Sequence, residues 1–402
     1  MVNLTGSPTE IGRLWGEINR SDILAHLQEF LRIARDEHGL TEIVLVERSQ
    51  PQARIIELLA PHWQEESLAI ASAAGVPHDL YQACLVGKYR KLLFAEDCTS
   101  YAAVGSASAD GRPLFHKNRD NPARPQTFYR KHTNGLLPYL SVGDTSDTGC
   151  MMMVNAAGLA GSADVAQPEP DPYYHGLMNP YGLRHIAETA TTCEEAVEIL
   201  RTMTGRGWYA GGSWATNWTF ADATGRAMVV FNAHKKLAIV ADTRSGHVQT
   251  AEREGLRDFL ASKPLALADL NAASRLPGVC AASNCSSLTV VIDPDHPETF
   301  TCAWAALGKA DETLYAPLYL GAEATPRDYV DGTLFGYWHK RPQPEWVGEW
   351  ETAREVLVRQ SEQTARVSLK ASGEQSARAT LTQVGKSAAE DLARHFGGLS
   401  SS

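Results

Sequence analysis

A cysteine followed by a charged cluster is the stretch of this sequence best suited to covalent chemistry. Cys98 begins an apolar segment, the Asp110-Gly111 pair is typical of a hairpin turn, and a second apolar segment leads into Lys117 and Asp120. If the two segments pair as strands, the charged cluster returns to the side of the cysteine. Because nearby cations lower the pKa of a thiol, we predict that Cys98 is a nucleophile. The competing interpretation is an inert buried cysteine.

Further motifs accompany Cys98 in a fixed order along the chain. Cys98-Thr99-Ser100 is followed by the Lys117 to Asp120 cluster, by Asn155 with an Ala-Ala-Gly turn, and by Asn217 at the start of Asn-Trp-Thr-Phe. This order resembles the acyl-coenzyme A:6-aminopenicillanic acid acyltransferase family, whose members are cysteine N-terminal-nucleophile hydrolases. The segment from Glu65 to Ala71 is similar to the family's pro-segment, and the resemblance runs from about residue 6 to about residue 320.

The elements that must position these residues are predicted to form an α+β fold. Short apolar runs separated by turn signals indicate one group of strands between residues 101 and 155 and a second between 213 and 305. The resemblance implies that they build a four-layer αββα sandwich of two antiparallel sheets. Three parts are expected, namely a helical pro-segment at 1–97, a catalytic αββα domain at 98–320 and an accessory helical extension at 321–402, with a role in oligomer contacts.

Local patterns give more specific expectations for single segments. Apolar residues at the helical period predict a helix that Gly39 ends, and another helix from Leu80 to Leu93. The short run from Ile43 to Val46 fits a strand or a helix. Residues 161–180 are rich in Pro, Asp and Tyr without periodicity, which predicts a long loop facing the substrate.

The resemblance implies a self-processing mechanism at the Asp97-Cys98 bond. The Cys98 thiol would attack the Asp97 carbonyl carbon, the acyl group would shift to sulfur, and water would release residues 1–97. The new α-amine of Cys98, with an ordinary pKa of about 7.7–8.0, would then serve as general base. The expected product is a heterodimer of the cleaved pro-segment and the catalytic chain, with a higher homo-oligomer as a further expectation.

Two more catalytic roles follow from positions that match the family. Asn217 is expected to donate a hydrogen bond to the oxyanion, and Asp120 to orient the new α-amine. Ordinary structural roles compete with both, because Asn217 also suits a strand-end turn and Asp120 also suits a salt bridge with Arg119.

A second group of residues is expected to contact substrate: Lys117, Asn155, Asp164, Trp208 and Trp214. Lys117 would hold a carboxylate or polarise the thiolate. Asp164 lies near the position where related bile-salt and penicillin V hydrolases carry an asparagine donor. An acid there repels an oxyanion, so Asp164 is expected instead to bind a substrate amine.

Composition narrows the classes of partner and compartment. The chain has 402 residues, 44% of them apolar, and a net charge of -10. This balance argues against nucleic acid and anionic membranes and favours a small amide or acyl substrate. The first residues lack a secretion-signal pattern, so we expect a cytoplasmic protein. Seven thinly spread cysteines indicate reduced thiols, and Cys280 and Cys285 lack the companions of a zinc site, so we predict neither metal nor cofactor.

Two other functions remain open from the sequence. One is an unprocessed thiol hydrolase in which Cys98 pairs with His116 or His175. The other is a small-molecule binding protein that keeps the fold with an inert Cys98. Only the self-processing enzyme predicts a chain cut before Cys98.

Overall fold

The computed structural model describes residues 1–87, 97–339 and 347–397. Within these ranges two sheets account for all of the strands. The strands are β1 (Leu4–Gly6), β2 (Asp97–Val104), β3 (Leu114–Asp120), β4 (Gln126–Thr133), β5 (Tyr139–Asp144), β6 (Met152–Asn155), β7 (Ala160–Tyr173), β8 (Gly212–Ala221), β9 (Ala227–Ala233), β10 (Lys236–Thr243), β11 (Gly246–Gln249), β12 (Asn284–Val291), β13 (Cys302–Ala306) and β14 (Ala316–Tyr319).

Helices precede Cys98, connect the strand groups and follow the last strand. They are α1 (Pro8–Ile18), α2 (Arg20–His38), α3 (Glu42–Leu59), α4 (His62–Ala74), α5 (His78–Val86), α6 (Asn179–Thr189), α7 (Cys193–Gly205), α8 (Leu256–Ala261), α9 (Leu267–Ser274), α10 (Pro297–Phe300), α11 (Arg327–Val330), α12 (Thr333–His339), α13 (Val347–Ser372) and α14 (Glu374–Gly397).

The two sheets are almost wholly antiparallel. The larger has the strand order β1-β4-β5-β6-β7-β8-β9-β10, and the smaller has the order β11-β2-β3-β12-β13-β14. The parallel pair of β1 with β4 is the exception. Cys98 lies on β2 of the smaller sheet, so any site built around it opens between the two sheets or at their edge.

Three apolar clusters show that the sheets are stacked and covered by helices. One fills the space between the sheets and contains Ala102 of β2, Phe115 of β3 and Val142 of β5. A second joins the outer face of the larger sheet to α1, α4, α6 and α7, and a third joins the outer face of the smaller sheet to α9, α13 and α14. This is the α+β, four-layer αββα sandwich that the sequence predicted.

The segments at both ends of the chain are packed into these layers. Leu4 of β1 and Trp15 of α1 belong to the outer cluster of the larger sheet. Leu381 of α14 packs in the outer cluster of the smaller sheet with Trp304 and Tyr319. The elements before Cys98 and the last two helices therefore bury part of each sheet, whereas the pro-segment and the domain boundaries at residues 97 and 320 stay predictions.

Several local expectations differ from the structure. Residues 161–173 are not a loop but most of the long strand β7, which pairs with β8 along its length, with a buried first part and a mostly exposed second part that carries the prolines. Ile43 to Val46 lies in helix α3. The helix expected from Leu80 to Leu93 is present as α5 up to Val86, and residues 88–93 lie outside the described ranges. Gly39 ends α2 in a left-handed conformation, as predicted.

Candidate active site

The β2–β3 hairpin brings the charged cluster back to the cysteine. The two strands pair antiparallel, with Cys98 opposite Arg119 and Asp97 opposite Asp120. Successive side chains on a strand point to opposite faces. Cys98 shares its face with Ala102, which is packed between the sheets. The thiol therefore points into the space between the sheets, at the end of the hairpin.

A buried polar network lies two residues beyond the thiol on the same face. The hydroxyl group of Ser100 donates to Asp164 Oδ1 at 2.9 Å, and Thr250 donates to Asp164 Oδ2 at 2.6 Å. Lys117 Nζ lies 3.2 Å from Asp164 Oδ1 and donates to the carbonyl oxygen of Ala163. Lys117 and Asp164, both predicted to contact substrate, thus form a buried ion pair that crosses from one sheet to the other.

Arg119 is committed to a second ion pair between the sheets. Its guanidinium group donates two hydrogen bonds to Asp144, at 2.7 and 3.1 Å, and one to Gln126. Burial opposes ionisation of Asp144, yet Arg119 holds the pKa of that carboxyl group well below its usual value. The predicted alternative of a surface salt bridge between Arg119 and Asp120 therefore does not fit, because the partner of Arg119 is Asp144.

Asp120 is a buried carboxyl group with an unfilled acceptor. Its side chain is 1% exposed, Oδ1 accepts from Asn284 at 3.1 Å, and Oδ2 has no hydrogen-bond partner among the described residues. Burial raises the pKa of Asp120 to about 6, and the charge of Asp97 adds to the shift against the hydrogen bond from Asn284. Such a group accepts a cation or donor readily if one appears beside it.

Arg253 contacts the predicted cleavage site from a distant part of the chain. Its Nη2 lies 2.7 Å from Asp97 Oδ1 and 3.4 Å from the Cys98 carbonyl oxygen, and its Nε donates to Thr99. Arg253 could not be predicted from the sequence, since it follows β11 without any motif. Only the pairing of β11 with β2 brings it to the site.

Asn217 lies on the strand next to the buried ion pair. It is directly opposite Asp164 in the β7–β8 register and is partly exposed. Directly opposed residues share a face of the sheet, so Asn217 and Asp164 both face the smaller sheet. The side-chain amide of Asn217 therefore lies on the larger sheet, on the face that is turned toward β2.

Three residues predicted to contact substrate have other surroundings. Asn155 donates to the carbonyl oxygens of Ala187 and Ala190, which ties its turn to the end of α6, and accepts from the backbone of its own turn, which closes that turn. Trp208 lines a separate cavity of about 460 Å³ beside α7. Trp214 is 47% exposed. The structure brings none of the three to Cys98.

The two histidines considered as partners for the thiol are also elsewhere. His116 is buried, stacks on Tyr101 and is hydrogen bonded to Thr289 and Asn118. Burial lowers the pKa of His116 to about 3, so it stays neutral. His175 is exposed and lies against the ring of Tyr173.

The space beside the thiol is small in the uncut chain. Cys98, Lys117, Met151 and Asn179 line a cavity of about 10 Å³. One water molecule needs about that much room. All seven cysteines lie in the described ranges, and none of them forms a disulfide there.

A comparison with family models identifies the middle of the chain. Residues 107–256 match the family described as "Acyl-coenzyme A:6-aminopenicillanic acid acyl-transferase". The family resemblance found in the sequence is thereby confirmed for this segment. The match includes Lys117, Asp120, Asp164 and Asn217 and begins after Cys98. None of the curated proteins gives a significant sequence match to the chain.

Several solved structures are similar to this one at low identity. Penicillin V acylase from Agrobacterium tumefaciens is 13% identical, with a TM-score of 0.41 over 55% of this chain and 86% of that chain. The Caenorhabditis elegans ortholog of N-acylethanolamine-hydrolyzing acid amidase is 11% identical, with a TM-score of 0.37 over 51% and 98%. A variant of conjugated bile acid hydrolase from Clostridium perfringens is 10% identical, with a TM-score of 0.35 over 55% and 92%.

The described ranges contain neither a candidate membrane-spanning helix nor a candidate metal-binding cluster. No helix in residues 1–87, 97–339 or 347–397 is both long and apolar enough to cross a lipid bilayer. The same part of the chain contains no group of three or more His, Cys, Asp or Glu side chains arranged to hold a metal ion.

Proposed function

We propose that the protein is a self-processing cysteine N-terminal-nucleophile enzyme, an amide hydrolase or N-acyltransferase made as a zymogen. The observation that carries the proposal is the buried Oδ2 of Asp120, which has no hydrogen-bond partner among the described residues and lies at the strand position opposite Asp97, next to that of Cys98. An ordinary buried carboxylate oxygen has a partner. Scission before Cys98 would supply one, because it creates an α-ammonium group at this end of β2.

Self-cleavage begins with attack of the Cys98 sulfur on the Asp97 carbonyl carbon. The peptide C–N bond breaks as the thioester forms, and the proton of the thiol goes to the departing nitrogen, which becomes the α-amine of Cys98. Water then hydrolyses the thioester and releases residues 1–97. Arg253 supports this step, because its contacts with Asp97 Oδ1 and the Cys98 carbonyl oxygen hold the bond in place.

The mature cycle uses the same sulfur on an external amide or thioester. The α-amine takes the thiol proton, sulfur attacks the carbonyl carbon, and the leaving amine or thiol receives the proton. Asn217 donates to the oxygen that becomes negative, and one such donor is typically worth about 3 kcal/mol. Water or a second amine then takes the acyl group from sulfur, which gives hydrolysis or transfer.

The ion pair of Lys117 and Asp164 sets the charge of the space between the sheets beside Cys98. Asp164 accepts hydrogen bonds from Ser100 and Thr250 as well, so its negative charge is compensated from three sides. An acid in this setting does not repel an oxyanion as strongly as an isolated one. Asp164 therefore acts as a support for Lys117 in the proposed mechanism, in place of the asparagine donor of related hydrolases.

The cleaved pro-segment is proposed to stay bound as one half of a heterodimer. Glu66 of α4 accepts from Lys131 of β4 at 2.6 Å and from Arg184 of α6 at 2.7 Å. Glu188 of α6 in turn accepts from His62 and Trp63 of α4. Departure of α4 would leave buried Lys131 without its counter-ion, which is strongly unfavourable.

Denaturing electrophoresis with N-terminal sequencing tests the proposal. Active protein should give two fragments, of which the larger begins at Cys98. Cys98→Ala should leave one uncut chain, while Cys150→Ala, which removes another buried thiol from the same cavity, should cut normally. An intact chain that retains activity would refute self-processing and favour the unprocessed thiol enzyme. Cut protein that turns over no acylated amine in a broad panel would favour a binding protein.

A further inference from the structure

The residue before Cys98 shows where the acyl half of a substrate is held. In self-cleavage, Asp97 provides the acyl group that sulfur attacks. Its side-chain carboxylate lies 2.7 Å from Arg253 Nη2, and it also accepts from the backbone N–H of Cys98 at 2.9 Å. The uncut chain therefore contains an acyl group with an anionic tail, held by a guanidinium group next to the nucleophile.

The covalent structure of Asp97 fixes the length of that tail. Its side-chain carboxylate is joined to the scissile carbonyl carbon through two carbons, Cα and Cβ. This is the skeleton of a succinyl group. Arg253 is itself fixed by its bond from Nε to Thr99, so a guanidinium group stays at this distance after residue 97 departs.

Cleavage before Cys98 would change which charged groups around the site have an ion-pair partner. Lys117 is paired with Asp164, and Arg119 with Asp144. The new α-ammonium group of Cys98 finds its acceptor in Asp120 Oδ2. Arg253 alone loses a partner when Asp97 is released, so the mature site has one cation in excess of these pairs.

We propose that Arg253 forms an anion subsite and that the mature enzyme prefers acyl donors of the succinyl or aspartyl type, with a carboxylate two carbons beyond the scissile carbonyl. This inference rests on the proposed function and specifies its substrate class. The carboxylate takes no part in the reaction. The amide C–N bond breaks, the thioester bond forms and is hydrolysed, and the amine departs with a proton.

The test compares two anilides that differ only at the end of the acyl chain. N-succinyl and N-butyryl p-nitroanilide both carry four acyl carbons, and the first ends in a carboxylate. Mature protein should favour the succinyl substrate in kcat/KM by roughly 2- to 5-fold, because the Arg253–carboxylate pair is partly open to solvent. Arg253→Gln should remove this preference, whereas Arg257→Gln, which changes an exposed arginine on α8, should keep it.

The outcomes separate this inference from the proposed function. Equal rates for the two substrates in cut protein, or an unchanged ratio in Arg253→Gln, would overturn the anion subsite and leave the enzyme class intact. If cut protein hydrolyses neither anilide, succinate should still slow alkylation of Cys98 by iodoacetamide more than butyrate does, and equal protection would overturn the subsite. A chain that is never cut would refute both proposals, because Asp97 would then remain on Arg253.

Discussion

The polar residues around Cys98 are of two kinds. Some have a hydrogen-bond partner for each of their strong polar groups, and others keep a polar atom without a partner among the described residues. Asn155 and Arg119 have every strong interaction satisfied inside the protein, so they hold elements together. Asp120 keeps one buried carboxylate oxygen without a partner in the described structure. Unfilled buried polar atoms are rare in folded proteins, and those that persist mark places where a ligand or a new group arrives.

The titration of Asp120 should differ before and after cleavage. In uncut Cys98→Ala protein, carboxyl NMR should give a pKa of about 6 for Asp120, because burial favours its neutral form. In mature protein the pKa should fall, since the α-ammonium group stabilises the carboxylate. An Asp120 pKa that is the same in the two forms would contradict the proposed contact.

The same shift predicts how stability depends on pH. A folded pKa of about 6 lies above the unfolded pKa of about 4, so the folded state binds the extra proton between these values and loses stability as pH rises through 6. Both proteins are compared in the Cys98→Ala background. The unfolding free energy of Asp120→Asn minus that of its Asp120 parent should be roughly 2–3 kcal/mol larger at pH 8 than at pH 4. Urea unfolding at the two pH values measures this, and Asp258→Asn, which changes an exposed aspartate on α8, serves as control. A pH-independent effect would contradict the shifted pKa.

Asn217 and Asn155 make a contrasting pair of asparagines. Asn217→Ala should lower kcat by about 10²- to 10³-fold with little change in melting temperature, because an oxyanion donor acts in the transition state. Asn155→Ala should lower stability by roughly 1–3 kcal/mol and leave kcat per folded molecule unchanged, because it loses bonds to α6. Steady-state kinetics and thermal unfolding separate the two effects. The reverse pattern would move the oxyanion role away from Asn217.

At the scale of elements, the helices that precede Cys98 pack against each other as closely as helices in the core of a folded domain. Gly16 of α1 faces α4, where an added Cβ would lie 2.6 Å from the carbonyl oxygen of Ile70. Trp15 on the same helix donates its indole N–H to the carbonyl oxygen of Thr145, next to β5. Close helix contact and a buried hydrogen bond to the catalytic part are features of a stably docked segment.

Gly16 provides a test of that docking. Gly16→Ala should destabilise the uncut chain by about 1–3 kcal/mol, because α1 and α4 must move apart to admit the methyl group. Gly205→Ala, at the end of α7 with open space around it, should be neutral or slightly stabilising. Chemical denaturation of the Cys98→Ala forms measures both. Equal effects would show that the α1–α4 contact is looser than the structure indicates.

At the scale of the whole molecule, one buried ion network connects the pro-segment to both the larger sheet and α6. Burial opposes ionisation of Glu66, yet Arg184 and Lys131 keep the pKa of its carboxyl group below the usual value. Arg184 also stacks over the ring of Trp63 at 4.9 Å. The network spans the two chains that cleavage would create, so it determines whether they separate.

Loss of Glu66 should therefore loosen the heterodimer. Glu66→Ala should cost about 3–5 kcal/mol, because Lys131 would keep a buried charge without its carboxylate and Arg184 would keep only Glu188. Glu65→Ala, on the exposed side of the same turn, should change little. Co-purification of the cleaved fragments with a tag on the C-terminal chain, followed by a salt wash, reports the difference. Retention of the pro-segment by Glu66→Ala protein would show that apolar packing alone suffices.

The sequence by itself determined the hairpin that carries Cys98 and most of the elements around it. Cys98, the Asp110-Gly111 turn and the charged cluster at Lys117 and Asp120 are local in the chain, so their spacing was enough to predict the hairpin and the thiol at its end. The family resemblance, confirmed for residues 107–256, supplied the layer order. Patterns of this kind are readable because hydrogen bonding and apolar periodicity act over short sequence distances.

Only the tertiary structure decided which distant groups reach the cysteine. Arg253 is more than 150 residues from Cys98, and no local pattern distinguishes it from other surface arginines. Strand β7 was predicted to be a loop because its prolines and its mostly exposed second part give no periodic pattern, and only its pairing with β8 defines it as a strand. The surroundings of Asn155 and Trp208 could not be predicted from the sequence, because a side chain's partners depend on packing between elements, and packing is set by the complete fold.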